Sequence, residues 1–154
     1  MRIAYGLFAL AILAAAPAAA QDTSASPNYG TLNLSAGFNP DPQVVSVVSG
    51  GVVDASGINS RCAGFISRAP DVRLSYTAGS LPLIISAASS DDTTLVINGP
   101  DGSWYCDDDG GVNGLNPAIR FNTPQTGRYE IWVGSYRAGT NSRASLNISE
   151  VGSQ

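Results

Sequence analysis

Between Thr31 and Ser149 no stretch keeps its apolar residues at helical spacing. Short alternating or β-branched runs recur instead, each closed by Gly, Pro, Asn or Asp. The runs expected as strands are Thr31–Ser35, Gln43–Val48, Val72–Thr77, Pro82–Ala87, Thr93–Ile97, Ser103–Asp107, Ala118–Asn122, Arg128–Ser135 and Arg143–Ser149. Many short strands with frequent turn signals specify an all-β fold, an antiparallel β-sandwich or jelly-roll-like single domain. In Arg128–Ser135, Tyr129, Ile131 and Val133 share one face, with Glu130 and Trp132 on the other. In Arg143–Ser149, Leu146 and Ile148 are expected inward, Asn147 and Ser149 outward. Thr31–Ser35 repeats the pattern of Ser145–Ser149, which suggests that the terminal strands occupy equivalent half-buried settings and pair with each other.

The ends of the chain set the compartment. Arg2, the apolar Ile3–Leu13 and Ala18-Ala19-Ala20 read as a signal peptide over 1–20, cleaved before Gln21. The apolar stretch is too short for a membrane anchor, and no other stretch approaches spanning length, so membrane insertion is not expected. The small, polar 21–28 segment reads as a flexible lead-in, and 29–150 as the folded domain. The mature protein is therefore expected to be secreted or periplasmic. Removing Arg2 leaves seven arginines against twelve acids, a net charge of −5. A lysine-free acidic chain repels phosphate backbones and anionic lipid, which argues against nucleic-acid partners. Cys62 and Cys106 are the only cysteines, and export makes a disulfide between them the natural reading.

Ser90–Gly111, SDDTTLVINGPDGSWYCDDDGG, reads as a hairpin with carboxylates at its open end. A five-residue loop would set Ile97 opposite Ser103, Asp92 opposite Asp108 and Asp91 opposite Asp109. Like charges directly across a strand pair repel, by about 1 kcal/mol in water at ~5 Å and by more at lower dielectric. The chain has no lysine or histidine to neutralise them. A hard cation is the simplest resolution, so Ca²⁺ held by Asp91, Asp92, Asp107, Asp108 and Asp109 is the expected cofactor. The spacing is not that of an EF-hand. Asn113 and Asn116 are candidate further ligands, and Asp101, at the hairpin tip, reads as a turn former. A solvated acidic surface is the alternative.

Asp91-Asp92-Thr93-Thr94-Leu95, Asn98-Gly99-Pro100-Asp101-Gly102 and Gly127-Arg128-Tyr129-Glu130-Ile131-Trp132-Val133 together resemble the bacterial pre-peptidase C-terminal (PPC) domain. In that family an acidic D-x-D-L start leads into a strand, a P-x-G turn follows, and a late G-x-Y-x-aliphatic-x-V strand closes the core. The likeness spans Leu74–Ser149 and implies a small jelly-roll-like sandwich, often Ca²⁺-binding and usually appended to secreted proteases. Thr94 stands where the family has its second aspartate, and no catalytic domain accompanies the motifs, so a stand-alone module is expected. The DGSWYCDDD stretch, Asp101–Asp109, also resembles a group of short secreted proteins of Gram-negative bacteria.

Catalysis finds little support. A serine triad needs an imidazole, Ser-Lys chemistry needs a lysine, and a Gly-x-Ser-x-Gly elbow is absent. Glu130 and Glu150 have no recognisable partner motif for glycoside hydrolysis. A non-catalytic binding, accessory or structural role is expected. Aromatic rings offer a second route to binding: Trp132, Tyr136 and Tyr105 are candidates for stacking on a polysaccharide or cell surface, with Trp132 the best placed for exposure. Trp104, on the same face as Cys106, is expected against the disulfide. Self-assembly through sheet edges, or association with a secreted protease, is the third possibility.

Overall fold

The computed structural model describes residues 20–154; the expected leader lies outside the described residues except for Ala20. Eleven strands form two sheets: β1 (Thr31–Ser35), β2 (Gln43–Val48), β3 (Val53–Asp54), β4 (Phe65–Ile66), β5 (Val72–Thr77), β6 (Leu83–Ser89), β7 (Thr93–Asn98), β8 (Trp104–Asp107), β9 (Ala118–Phe121), β10 (Gly127–Ser135) and β11 (Arg143–Ser149). One sheet has β8, β7, β10, β5 and β1 side by side, with the short β4–β3 pair beside the end of β10. The other runs β2-β11-β6-β9. Every pairing is antiparallel except β1 with β5. Among the described residues no helix is long and apolar enough to cross a membrane.

The alternation read from the sequence builds the main core between the sheets. Leu74, Leu95, Tyr129, Ile131 and Val133 from the larger sheet meet Leu83, Ile85, Leu146 and Ile148 from the smaller one, all buried. At about 25 cal/mol per Å² of apolar surface, this layer supplies most of the driving force for folding. A second, smaller core lies on the other side of the larger sheet. There the β3–β4 excursion folds over Trp132 and Val96 with Val53, Ala55, Cys62 and Ile66. Gly134 permits the approach, since a Cβ there would fall 2.3 Å from Thr94 Oγ1 and 2.9 Å from the Phe65 carbonyl oxygen. The Cys62–Cys106 disulfide ties the excursion to β8 (Cα–Cα 5.0 Å). That bond places the chain outside the reducing cytoplasm.

Three expectations are corrected. The terminal strands do not pair: β1 lies beside β5, and β11 lies between β2 and β6 in the other sheet. Asn147 and Ser149 point away from the core opposite Leu146 and Ile148, as read, but they are buried and not exposed. The C-terminal tail turns back here, with Val151 N–H and Gly152 N–H donating to Ser149 Oγ and Gln154 N–H to Ser86 Oγ, beside Asn147 in the ladder. The lead-in is not a loose segment either. Asp22 N–H donates to the Arg68 carbonyl, Asn28 N–H to that of Pro70 and Tyr29 N–H to that of Asp71. Arg73 Nη2 reaches the carbonyls of Thr23 and Ala25. The segment is held at Asp22 and Asn28 by backbone hydrogen bonds and at Thr23 and Ala25 by one guanidinium, partners that composition does not reveal.

Candidate functional site

The hairpin register decides how the acidic residues meet. Gly102 N–H donates back to the Gly99 carbonyl and Gly99 N–H to that of Ser103, so only Pro100, Asp101 and Gly102 lie in the loop. Gly102 takes φ +79°, the left-handed conformation that closes a three-residue hairpin loop. Asp101 accepts from the Ser103 N–H and hydroxyl, which holds its carboxyl below the usual range and makes it the expected turn former. The tighter loop pairs Asn98 with Trp104 and Leu95 with Asp107. Asp92 and Asp91 are therefore not ladder partners of Asp108 and Asp109.

The carboxylates nevertheless gather at one end of the sandwich. The β6–β7 turn, the β8–β9 loop and the β10–β11 turn meet there, joined by Thr93 N–H to the Leu115 carbonyl and Tyr136 N–H to that of Asp92. Asn116 clamps the first two. Its Oδ1 accepts from Ser89 N–H (3.0 Å) and Thr93 Oγ1 (2.8 Å), and its Nδ2 donates to the Ser89 carbonyl (3.0 Å). With its side chain engaged in this way, buried Asn116 acts as a loop tie and not as the ligand the sequence suggested. Asp107 has a similar duty: its Oδ2 accepts from Gly110 N–H (2.7 Å) and Ala118 N–H (2.9 Å), closing the β8–β9 loop on itself.

Ser90, Asp91, Asp92, Leu115, Arg137 and Thr140 line an open cleft of about 430 Å³ between these loops. Partial burial raises the Asp92 carboxyl above its ordinary pKa, and the charges of Asp109 and Asp108 push it further, against the opposing pull of Arg137. Asp92 thus lies within electrostatic reach of Asp108 and Asp109 despite the shifted register. Val112, Leu115 and Tyr136 are exposed on the same loops, at 73%, 56% and 47%. The site is a mixed one, with carboxylates, one arginine and bare apolar side chains. Nothing in the sequence marks Arg137 or Leu115 as part of such a site; a leucine between glycine and asparagine carries no periodic signal.

The fit to Ca²⁺ is incomplete. Among the described residues no group of three His, Cys, Asp or Glu is arranged to hold a metal ion, so Asp91, Asp92, Asp107, Asp108 and Asp109 do not form a preassembled ligand shell. An oxygen-only donor set suits Ca²⁺ in kind, but such an ion needs six to eight oxygens converging at once.

The aromatic candidates separate. Trp132 is fully buried beneath the β3–β4 excursion, which corrects its expected exposure. Tyr105 is half-buried with its ring edge-on to Phe121, centroids 4.9 Å apart. Of the three candidates, Tyr136 is the one that presents an open ring. Trp104 packs in the minor core beside the disulfide, as read from the sequence. The two glutamates serve separate structural roles. Glu130 pairs with Arg73 (2.6 Å) and Arg128 (2.8 Å), and Glu150 accepts from Tyr76 Oη (2.6 Å) and Gly37 N–H (2.8 Å).

No protein-family model and no curated protein sequence matches the chain. The likeness to the PPC domain therefore rests on the quoted motifs alone. Among solved structures the chain is similar to PliG of Aeromonas hydrophila, a periplasmic lysozyme inhibitor of g-type lysozyme. The match has a TM-score of 0.44 and 14% identity, and covers 77% of this chain and 96% of that one.

Proposed function

We propose that this protein is an exported, non-catalytic β-sandwich, secreted or periplasmic, whose loop end binds a cationic protein partner. The observation that carries the reading is the 430 Å³ cleft, in which Asp91, Asp92 and Leu115 face a single Arg137. An interface with an apolar centre and a charged rim has this composition, and opposite charge on the partner would speed encounter and set register. Pinning by Asn116, Asp107 and the disulfide lowers the entropy lost when the loops engage. Chemistry that depends on histidine, lysine or a free thiol has no residues to use, since the chain has no histidine or lysine and both cysteines are joined. Co-purification from the exporting cell at low and high salt tests the reading. Salt-sensitive retention of a basic protein, lost in Asp91→Asn/Asp92→Asn/Asp108→Asn/Asp109→Asn, is the expected result; retention unchanged by that variant would overturn it.

Ca²⁺ binding is a second reading, favoured by the mutual repulsion of Asp92, Asp108 and Asp109. On that reading the loops rearrange around the ion and the domain gains stability from it. Calorimetric titration with Ca²⁺, with melts in chelator and in millimolar Ca²⁺, separates the two. A raised midpoint supports the ion; an unchanged midpoint with no binding heat removes it and leaves the protein-binding reading standing.

A further inference from the structure

A second surface lies on the outer face of the larger sheet, toward the end away from the acidic loops. Because Leu32, Leu34, Leu74, Tyr76 and Tyr129 face the core, alternation puts Asn33, Ser35, Ser75, Thr77 and Arg128 on the opposite face. Register then aligns them: Asn33 lies opposite Ser75 and Ser75 opposite Arg128, while Ser35 lies opposite Thr77. With Thr126, these side chains line a trough of about 490 Å³. Hydroxyl and amide groups there form an array about 4.8 Å apart across the strands, with no aromatic ring or acid on the outward face of the trough itself.

Arg128 gives this array a direction. Its Nε lies 2.8 Å from Glu130 Oε1 in an ion pair, while its side chain stays 55% exposed. Among the described residues Nη1 and Nη2 take no partner, so the outer donors of the guanidinium are free beside the hydroxyls. Arg73 differs, since its Nε meets the same Glu130 oxygen and its Nη2 is engaged by two carbonyls of the lead-in. Two guanidinium groups on one buried carboxylate leave a local charge of +1 in a chain whose mature form carries −5. A guanidinium fork selects carboxylates by bidentate hydrogen bonding, and surrounding hydroxyls and amides suit a polyhydroxylated ligand.

We infer that the trough formed by Asn33, Ser35, Ser75, Thr77, Thr126 and Arg128 binds a uronate-bearing polysaccharide, with Arg128 on the sugar carboxylate. It is separate from the loop end, so this inference and the protein-binding reading fail independently. Carbohydrate recognition then rests on polar groups of the larger sheet and not on Trp132.

Affinity electrophoresis of the mature protein in gels containing polygalacturonate, a neutral β-glucan or dextran sulfate tests it. Retardation by polygalacturonate alone is expected, weakened at least ~10-fold in Arg128→Gln. Asn33→Tyr fills the trough from an exposed edge strand without touching the ion pair, and should abolish retardation with the melting midpoint unchanged. No retardation by polygalacturonate, equal retardation by the neutral glucan or by dextran sulfate, or retardation surviving both substitutions would each overturn the inference.

Discussion

The ring centroids of Trp104 and Trp132 lie 5.5 Å apart, their planes tilted by 38°, and the pair forms the floor on which the disulfide-tied excursion rests. Trp132 is wholly buried, so truncating it removes this floor and opens a cavity. Trp132→Ala should cost about 3–5 kcal/mol in urea unfolding, and Trp132→Phe distinctly less. A loss below about 1 kcal/mol for Trp132→Ala would show that the second core contributes little.

The Cys62–Cys106 bond spans a sequence separation of 44 residues. In the chain-entropy model, closing a loop of this length stabilises the fold by about 4 kcal/mol. Cys62→Ala/Cys106→Ala should lose stability on that order and raise proteolytic cleavage within 56–63, where the hydrogen bonds are local turns. Equal cleavage rates in the variant and the parent would place the anchoring of this segment elsewhere.

Asp71 predicts the pH dependence. It is 2% exposed, and burial pushes its carboxyl up to about 6, although hydrogen bonds from Val133 N–H, Asn28 and Ser67 act in the other direction. The folded value lies above the ordinary 3.8 of an aspartate, so the fold holds the extra proton between the two. The associated stability is complete below about pH 4 and is lost as pH rises through about 6, a change on the order of 3 kcal/mol. Asp71→Asn should flatten this slope in denaturant titrations between pH 4 and 7. An identical slope in the variant would assign the dependence to other groups.

Asn116 ties the β8–β9 loop to the β6–β7 turn through three hydrogen bonds. Asn116→Ala leaves buried Thr93 Oγ1 without that acceptor and should cost about 1–3 kcal/mol. Amide exchange at Ser89 and Thr93 should accelerate, while exchange at Leu146 in the main core follows only the global change. Unchanged exchange at Ser89 would mean that the loop is held by other contacts.

The strands were legible wherever burial follows a period. Arg128–Ser135 and Arg143–Ser149 alternate clearly enough that their core faces, Tyr129-Ile131-Val133 and Leu146-Ile148, follow directly from the sequence. Val53–Asp54 and Phe65–Ile66 were not, because two residues have no period and these strands exist through packing on Trp132. Trp132 itself shows the limit of alternation: it lies on the outer side of the sheet, as read, but a segment more than sixty residues earlier covers that side. The disulfide needed only export and two cysteines. The acidic cluster was legible as composition, yet its pairing shifted once Pro100–Gly102 closed a three-residue loop. Which apolar side chains stand bare beside it, Leu115 and Val112, depends on loop tertiary structure alone.

A photo-crosslinking residue placed at Leu115 in the exporting cell tests the loop-end binding claim most directly, with Leu81, exposed on the β5–β6 turn at the far end, as the control position. A discrete cross-link to a basic protein from position 115, absent from position 81 and lost when Asp91, Asp92, Asp108 and Asp109 are replaced by Asn, is the predicted result. No cross-link from position 115, or the same products from both positions irrespective of the carboxylates, would contradict it.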